Sequence, residues 1–77
     1  MEPVRAKEDA EKAIELDPNF VKAYLRKATC HQLMKEYHKA MEAYEKGLKI
    51  EPDNTDLKRG YQETLMKIQT SGDDQER

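Results

Sequence analysis

The sequence has little of several residue types that build structure or chemistry in small proteins. Its 77 residues include one cysteine, no tryptophan, three glycines and three prolines. The lone cysteine, Cys30, excludes an internal disulfide and fits a reducing, intracellular setting. No apolar run approaches the roughly 20 residues that cross a bilayer, and no N-terminal stretch has the layout of a secretory signal. We therefore expect a cytoplasmic chain that does not enter the membrane.

The chain also lacks a strong excess of either charge. Its formal net charge is −2, so no bulk field favours nucleic acid or an acidic membrane. Charged residues make up 39% of the chain and apolar residues 36%, which is typical of a surface-rich helical domain. The hydrophobic core of so short a chain is only marginally stable without covalent cross-links or stacking partners. Only the strong apolar periodicity separates this sequence from disordered ones.

The residues that could form a catalytic or metal site are scattered. There is no Gly-rich phosphate loop, nucleophile elbow or plausible triad. His31 and His38 fall on different predicted helices, and adjacent residues such as Cys30 and His31 point about 100° apart on one helix. We expect Cys30 to pack as a small residue rather than react as a thiol, His31 to be partly buried and hydrogen-bonded, and His38 to face solvent. We predict no enzymatic activity, no metal and no cofactor.

An internal repeat organises the chain. Pro18 and Pro52 lie 34 residues apart, and each is preceded by an apolar and an acidic residue. Shifting the chain by 34 residues superposes small residues on small ones and apolar residues on apolar ones. The segment 3–17 is therefore a second copy of the helical segment 37–50. Between the two prolines, helical patterns at 20–34 and 37–50 are joined by Lys35-Glu36.

This pattern predicts an all-α fold of antiparallel helices, with about one and a half helix-turn-helix repeats and a C-terminal capping helix. The predicted domain covers 1–70: the second helix of a preceding repeat at 3–17, one complete repeat at 20–51 and the capping helix at 54–69. Thr70-Ser71-Gly72 is expected to end that helix, and 71–77 to form a flexible polar tail.

Local signals place the helix ends and the apolar stripes. Asn19 is expected to cap the helix at 20–34, and Asp53 or Asn54 the last helix. Gly47 is expected where another helix backbone approaches closely. The apolar stripes of the first, third and fourth helices are Ala6, Ala10, Ala13, Ile14 and Leu16; Tyr37, Ala40, Met41, Tyr44, Gly47, Leu48 and Ile50; and Leu57, Tyr61, Leu65 and Ile68.

Lys22 and Arg26 form the most informative charged pair. They are four residues apart, so they share a helix face, where like charges cost roughly 0.2–0.5 kcal/mol. Lys22 also falls in the first turn, where the helix dipole disfavours a cation. Local penalties of this kind are more expected at functional sites than elsewhere, and such a face suits a carboxylate. The alternative is a solvated basic edge that is offset by Asp17 or by carboxylates of the preceding helix.

The 34-residue helical unit resembles the tetratricopeptide repeat. The residues that carry the resemblance are Tyr24, Ala28, Tyr37, Ala40, Tyr44, Gly47 and Pro52. The sequence departs from the family pattern at Lys27, where leucine is usual, at His31, where an aromatic residue is usual, and at Gly47, where alanine is usual.

The stretch Lys22-Ala23-Tyr24-Leu25-Arg26-Lys27-Ala28 resembles the carboxylate-clamp type of this family, most of all the co-chaperones that organise heat-shock chaperones. That resemblance implies binding of the C-terminal acidic tails of cytosolic chaperones of the seventy- and ninety-kilodalton classes. Lys22 and Arg26 would hold the carboxylates, and Leu25, Thr29 and Gln32 would line the groove. The family's clamp has further polar residues on helices of earlier repeats, which this chain does not contain.

Two other functions stay open at this point. The chain could be a structural end-cap that packs on neighbouring domains, with the basic pair incidental. It could also be a module attached to an enzyme, since similar repeats accompany prolyl isomerases and a phosphatase. The first helix lacks its repeat partner, so we expect its Ala/Ile stripe either to be exposed or to serve in self-association.

Overall fold

The computed structural model describes residues 3–75, and side chains for residues 4–69. Four helices follow one another: α1 (Pro3–Leu16), α2 (Val21–Leu33), α3 (Tyr37–Ile50) and α4 (Thr55–Gln75). α2 packs against both α1 and α3, whereas α4 packs against α3 and more sparsely against α2. The predicted all-α fold with helix-turn-helix order is confirmed.

The two prolines of the repeat occupy equivalent turns. The carbonyl of Asp17 accepts a hydrogen bond from the N–H of Phe20 at 3.0 Å, and the carbonyl of Glu51 accepts one from Asn54 at 3.1 Å. In both turns proline is the second residue, where its fixed φ suits the bend. The sequence repeat is therefore a structural repeat at the points where the chain passes from one helical unit to the next.

The side-chain caps of α2 and α4 differ. The Oδ1 atom of Asn54 accepts the N–H of Leu57 at 3.0 Å, which confirms Asn54 as the cap of α4. The prediction that Asn19 caps α2 is wrong, because Phe20 is the N-cap residue and makes no capping side-chain bond. The N–H of Asn19 instead donates to Oδ1 of Asp17 at 3.1 Å, in an Asx turn one residue too early to cap the helix.

Lys35, two residues beyond the end of α2, is in the left-handed conformation, with a φ of 62°. The N–H of Glu36 donates to the carbonyl of His31 at 2.7 Å, and the N–H of Lys35 donates to the carbonyl of Gln32 at 2.9 Å. These two bonds form a Schellman motif, which usually has glycine at the left-handed position. The motif reverses the chain into α3, whose bounds are those predicted.

The core lies where α2, α3 and the start of α4 meet. A Cβ placed on Gly47 would lie 2.9 Å from Cδ1 of Leu57 and 3.3 Å from Cβ of Tyr24. The close approach expected at Gly47 therefore exists, but it comes from side chains rather than from a helix backbone. The buried residues that form the central cluster are Val21, Ala28, Ala40, Ala43, Tyr44 and Leu57.

Two further predictions are wrong. α4 runs to Gln75, past the boundary expected at 70–72, so 71–75 are helical and the rest of the expected tail lies outside the described residues. No proline follows to break the helix, and Gly72 costs only about 1 kcal/mol of helix propensity. Leu16, expected in the apolar stripe of α1, is 84% exposed because the chain reverses immediately after it.

Candidate functional site

Lys22 and Arg26 are both exposed, one turn apart on α2. Neither forms an ion pair with any residue that the structure describes. The first turn of α2 holds no acidic residue, and the Asp17 carboxylate accepts the N–H of Asn19. The ion pairs with Asp17 or with carboxylates of α1 that the sequence suggested are therefore not formed. Both cations are free to meet a ligand from solvent.

The three residues predicted to line a groove beside this pair have different surroundings. Thr29 is exposed, and its hydroxyl donates to the carbonyl of Leu25 at 2.9 Å. Leu25 is half-buried against the core cluster. The side-chain amide of Gln32 donates to the hydroxyl of the buried Thr64, which in turn donates to the carbonyl of Gly60 at 2.8 Å. Gln32 is thus held by a hydrogen bond to α4.

His31 and Cys30 are structural in the described part of the chain. His31 was expected to be partly buried and hydrogen-bonded. Its Nδ1 atom donates to Oε1 of Glu36 at 2.9 Å, which confirms the hydrogen bond, but at 4% exposure the side chain is more deeply buried than expected. This bond is the main reason that the pKa of Glu36 is lowered. Cys30 is buried, and burial raises the pKa of its thiol, which keeps it protonated and poorly nucleophilic. His38 is exposed, as expected.

Among residues 3–75, no group of three or more His, Cys, Asp or Glu side chains is placed to hold a metal ion. Over the same residues, none of the helices combines the length and apolar content that crossing a membrane requires.

A second feature, missed by the sequence analysis, is a cleft of about 270 Å³ between α1 and α3, with α2 at its base. No Cα atom of α1 lies within 8 Å of a Cα atom of α3 among the described residues, which leaves this space open. Charged residues dominate its lining: Lys7, Glu11, Lys27, Lys39, Glu42 and Lys46. The sequence signal was Lys27, a lysine at a position where the repeat pattern usually has leucine.

These features define the class of protein. A 34-residue period, paired antiparallel helices and equivalent proline turns together are typical of a stacked helical repeat rather than a closed bundle. The family described as tetratricopeptide repeat matches residues 21–54, which run from the first residue of α2 through the turn after α3. The chain belongs to the tetratricopeptide repeat family.

The similar proteins include Hsp70-Hsp90 organizing proteins of plants. The chain is 52% identical over 60 residues to the Hsp70-Hsp90 organizing protein of Triticum aestivum, and 50% identical over 60 residues to Hsp70-Hsp90 organizing protein 2 of Arabidopsis thaliana. Both matches cover 78% of this chain and 10% of the relative. Serine/threonine-protein phosphatase 5 of Rattus norvegicus is 38% identical over 55 residues, 71% of this chain and 11% of the relative. The chain thus spans about a tenth of the relatives that it matches.

Proposed function

We propose that this chain forms one wall of a peptide-binding groove in a cytoplasmic co-chaperone. Lys22 and Arg26 hold terminal carboxylates of the acidic C-terminal tails of heat-shock chaperones of the seventy- and ninety-kilodalton classes. Leu25, Thr29 and Gln32 line the groove beside them. The observation that carries the proposal is a like-charged pair on the exposed face of α2 with no ion-pair partner in the described structure.

A bound carboxylate would relieve both local penalties at once. It would neutralise the repulsion between two cations one helical turn apart and would place an anion near the N-terminus of α2, where the dipole favours it. Charge-assisted hydrogen bonds of this kind contribute about 1.5–3 kcal/mol each. The resemblance to Hsp70-Hsp90 organizing proteins supports chaperone tails as the ligand. The proposal involves no catalysis, metal, cofactor, nucleic acid or membrane in this chain.

We expect the 77-residue chain alone to bind such a tail weakly. Two contacts supply about 3–6 kcal/mol gross, whereas association costs roughly 4–15 kcal/mol in lost freedom. The dissociation constant should therefore be millimolar or weaker. A submicromolar value for the chain alone would show that this reasoning is wrong.

The second candidate function is a structural end-cap without a peptide site of its own. The bond from Gln32 to Thr64 and the complete burial of Leu57 favour it, because they show α4 closing the surface of α2 and α3. In that case Lys22 and Arg26 are ordinary surface charges. The enzyme relative raises a third case, a module attached to a catalytic domain elsewhere in a longer protein.

The test is a titration of a labelled peptide ending in Glu-Glu-Val-Asp. It should be run against this chain and against a longer chain in which the family's preceding repeats are joined to residue 1. The clamp predicts binding by the longer chain, weakened by salt and lost with a C-terminally amidated peptide or with Arg26→Ala. Arg5→Ala, which removes an exposed arginine from α1, is the matched control and should bind normally. If neither chain binds, or if Arg26→Glu binds as well as the parent, the clamp is wrong and the end-cap function is favoured.

Self-association through α1 is a separate part of the proposal. Ala10 is buried against the rest of the fold, but Val4 and Leu16 are 52% and 84% exposed. Sedimentation at increasing concentration should show dimers that Leu16→Gln weakens. A monomer at all concentrations would exclude this contact.

A further inference from the structure

The cleft between α1 and α3 lies on a different face from the candidate peptide site. α2 contributes Tyr24, Lys27 and His31 to the cleft. At about 100° per residue, these three positions centre about 150° away from Lys22 and Arg26 around the helix axis. A ligand in the cleft would therefore not touch the carboxylate-binding pair, and its binding would be independent of the proposed peptide site.

The cleft is positively charged although the whole chain is negative. Its lining has four lysines and two glutamates, an excess of two positive charges in a chain whose net charge is −2. Glu11 pairs with Lys27 at 3.5 Å, and Glu42 pairs with Lys46 at 3.6 Å. The remaining two lysines are Lys7, which has no ion pair among the described residues, and Lys39. Lys39 pairs at 3.7 Å with Glu36, which does not line the cleft. Even when Glu36 is counted, one positive charge is left over.

His31 adds a polar atom at the base of the cleft. Its Nδ1 atom donates to Glu36, and no hydrogen bond is formed by Nε2 among the described residues. Over those residues, no buried side-chain nitrogen or oxygen lacks a partner, so Nε2 must be reached by solvent. The imidazole is 4% exposed and lines the cleft. With Nδ1 donating, Nε2 accepts in the neutral ring and donates in the protonated ring.

We propose that this cleft binds an acidic side chain, Asp or Glu, from an extended segment of a partner protein. A volume of about 270 Å³ is small for a drug-sized ligand, for which about 300–1,000 Å³ is usual, but it accommodates one or two side chains. The lining provides ammonium groups and an imidazole. Arginine, whose planar fork favours phosphate, is absent from it. Two of its lysines already bind single carboxylates, from Glu11 and Glu42, which is the geometry that an incoming acidic side chain would reproduce.

The probe is fluorescein-labelled hexaglutamate with an amidated C-terminus, which has no terminal carboxylate to occupy the Lys22–Arg26 site. Binding to the 77-residue chain should be measured by fluorescence anisotropy at low salt, and its position by the amide resonances of the ¹⁵N-labelled protein. We expect weak, salt-sensitive binding with the largest shifts at Ala43 and His31. Each exposed ion pair contributes little to binding, so removing two of them should change the affinity by about 3- to 10-fold.

Three double variants test the assignment, each monitored by circular dichroism for folding. Lys7→Gln with Lys46→Gln removes two cleft charges and should raise the dissociation constant about 3- to 10-fold. Lys12→Gln with Lys49→Gln removes two exposed lysines from the same two helices outside the cleft and should leave it within about twofold of the parent. Glu11→Gln with Glu42→Gln removes the two carboxylates that already pair with cleft lysines, and this double variant should lower the dissociation constant.

Three outcomes would overturn the proposal. The first is equal weakening by the cleft pair and the control pair, which would show that only net charge matters. The second is a set of shifted amides centred on Lys22 and Arg26. The third is displacement of the peptide by inorganic phosphate at the same concentration, which would mark a small-anion site rather than a site for an acidic protein segment.

Discussion

Gly60 is the glycine at which an added side chain would clash most severely with its neighbours. A Cβ placed on Gly60 would lie 2.6 Å from the hydroxyl oxygen of Tyr44 and closer still to two of its ring carbons. Tyr44 is 2% exposed and belongs to the core cluster, so its rigid ring cannot move aside without displacing its neighbours. Gly60→Ala therefore forces overpacking, and the depth of the overlap places it near the upper end of the usual 1–3 kcal/mol.

The helix itself would gain from the same change. Alanine is favoured over glycine in a helix interior by about 1 kcal/mol, so the net loss expected for Gly60→Ala is about 2 kcal/mol. A domain of this length has a free energy of unfolding of only about 4–12 kcal/mol. With a urea dependence of about 1 kcal/mol per molar for a small protein, the midpoint should fall by about 2 M.

Gly47→Ala is the matched control on α3. It gains the same helix propensity, but its overlap is shallower, because its Cβ would lie 2.9 Å from the flexible end of the Leu57 side chain rather than against a rigid ring. We expect a change of less than about 1 kcal/mol in either direction. Urea unfolding followed by far-ultraviolet circular dichroism measures both variants. If Gly60→Ala is as stable as the parent, the ring of Tyr44 has room that the packing described here does not allow, and the reasoning fails.

Three further changes test other parts of the structure. Lys35→Gly should raise the free energy of unfolding by about 0.5 kcal/mol, because glycine avoids the left-handed strain of about 1–2 kcal/mol but loses more backbone entropy on folding; Lys35→Ala should give no gain in the same urea assay. Burial raises the pKa of the Tyr44 hydroxyl, so stability should be complete below about pH 10 and decline as pH rises through the raised pKa, and Tyr44→Phe should make that decline shallower. The pKa of Glu36 is lowered by its bond with His31, so its contribution is present above about pH 4.3 and lost as pH falls through the lowered value; Glu36→Gln should flatten the acid side of a stability-against-pH curve, and an unchanged curve would contradict this.

Periodic signals in the sequence predicted most of the fold. The bounds of α3 were predicted to the residue, and the cap at Asn54 and a hydrogen-bonded His31 followed from helical spacing and local chemistry. The cap of α2 was mispredicted because the helix begins at Val21, one residue later than the apolar pattern indicated, so Phe20 rather than Asn19 occupies the N-cap position.

Features that join separate repeats could not be read from the sequence. The bond from Gln32 to Thr64 spans 32 residues and depends on how α4 packs beside α2. The cleft depends on the spacing between α1 and α3, two helices that are not consecutive, and Lys27 was the only local sign of it. The exposure of Lys22 and Arg26 was predicted, whereas the absence of an ion pair between them and the described carboxylates needed the coordinates.

The position of α1 has a consequence for dynamics. Within the described residues, α1 packs against α2 alone, whereas α2, α3 and α4 all contact one another. In a stack held by nearest neighbours, α1 is therefore the first unit to detach, and its amide protons should exchange with solvent earlier than those of α2 and α3. Detachment would dismantle the lysine-lined cleft and leave Lys22 and Arg26 in place on α2. The two faces would then respond differently to the same local opening, because only one of them depends on α1 being docked.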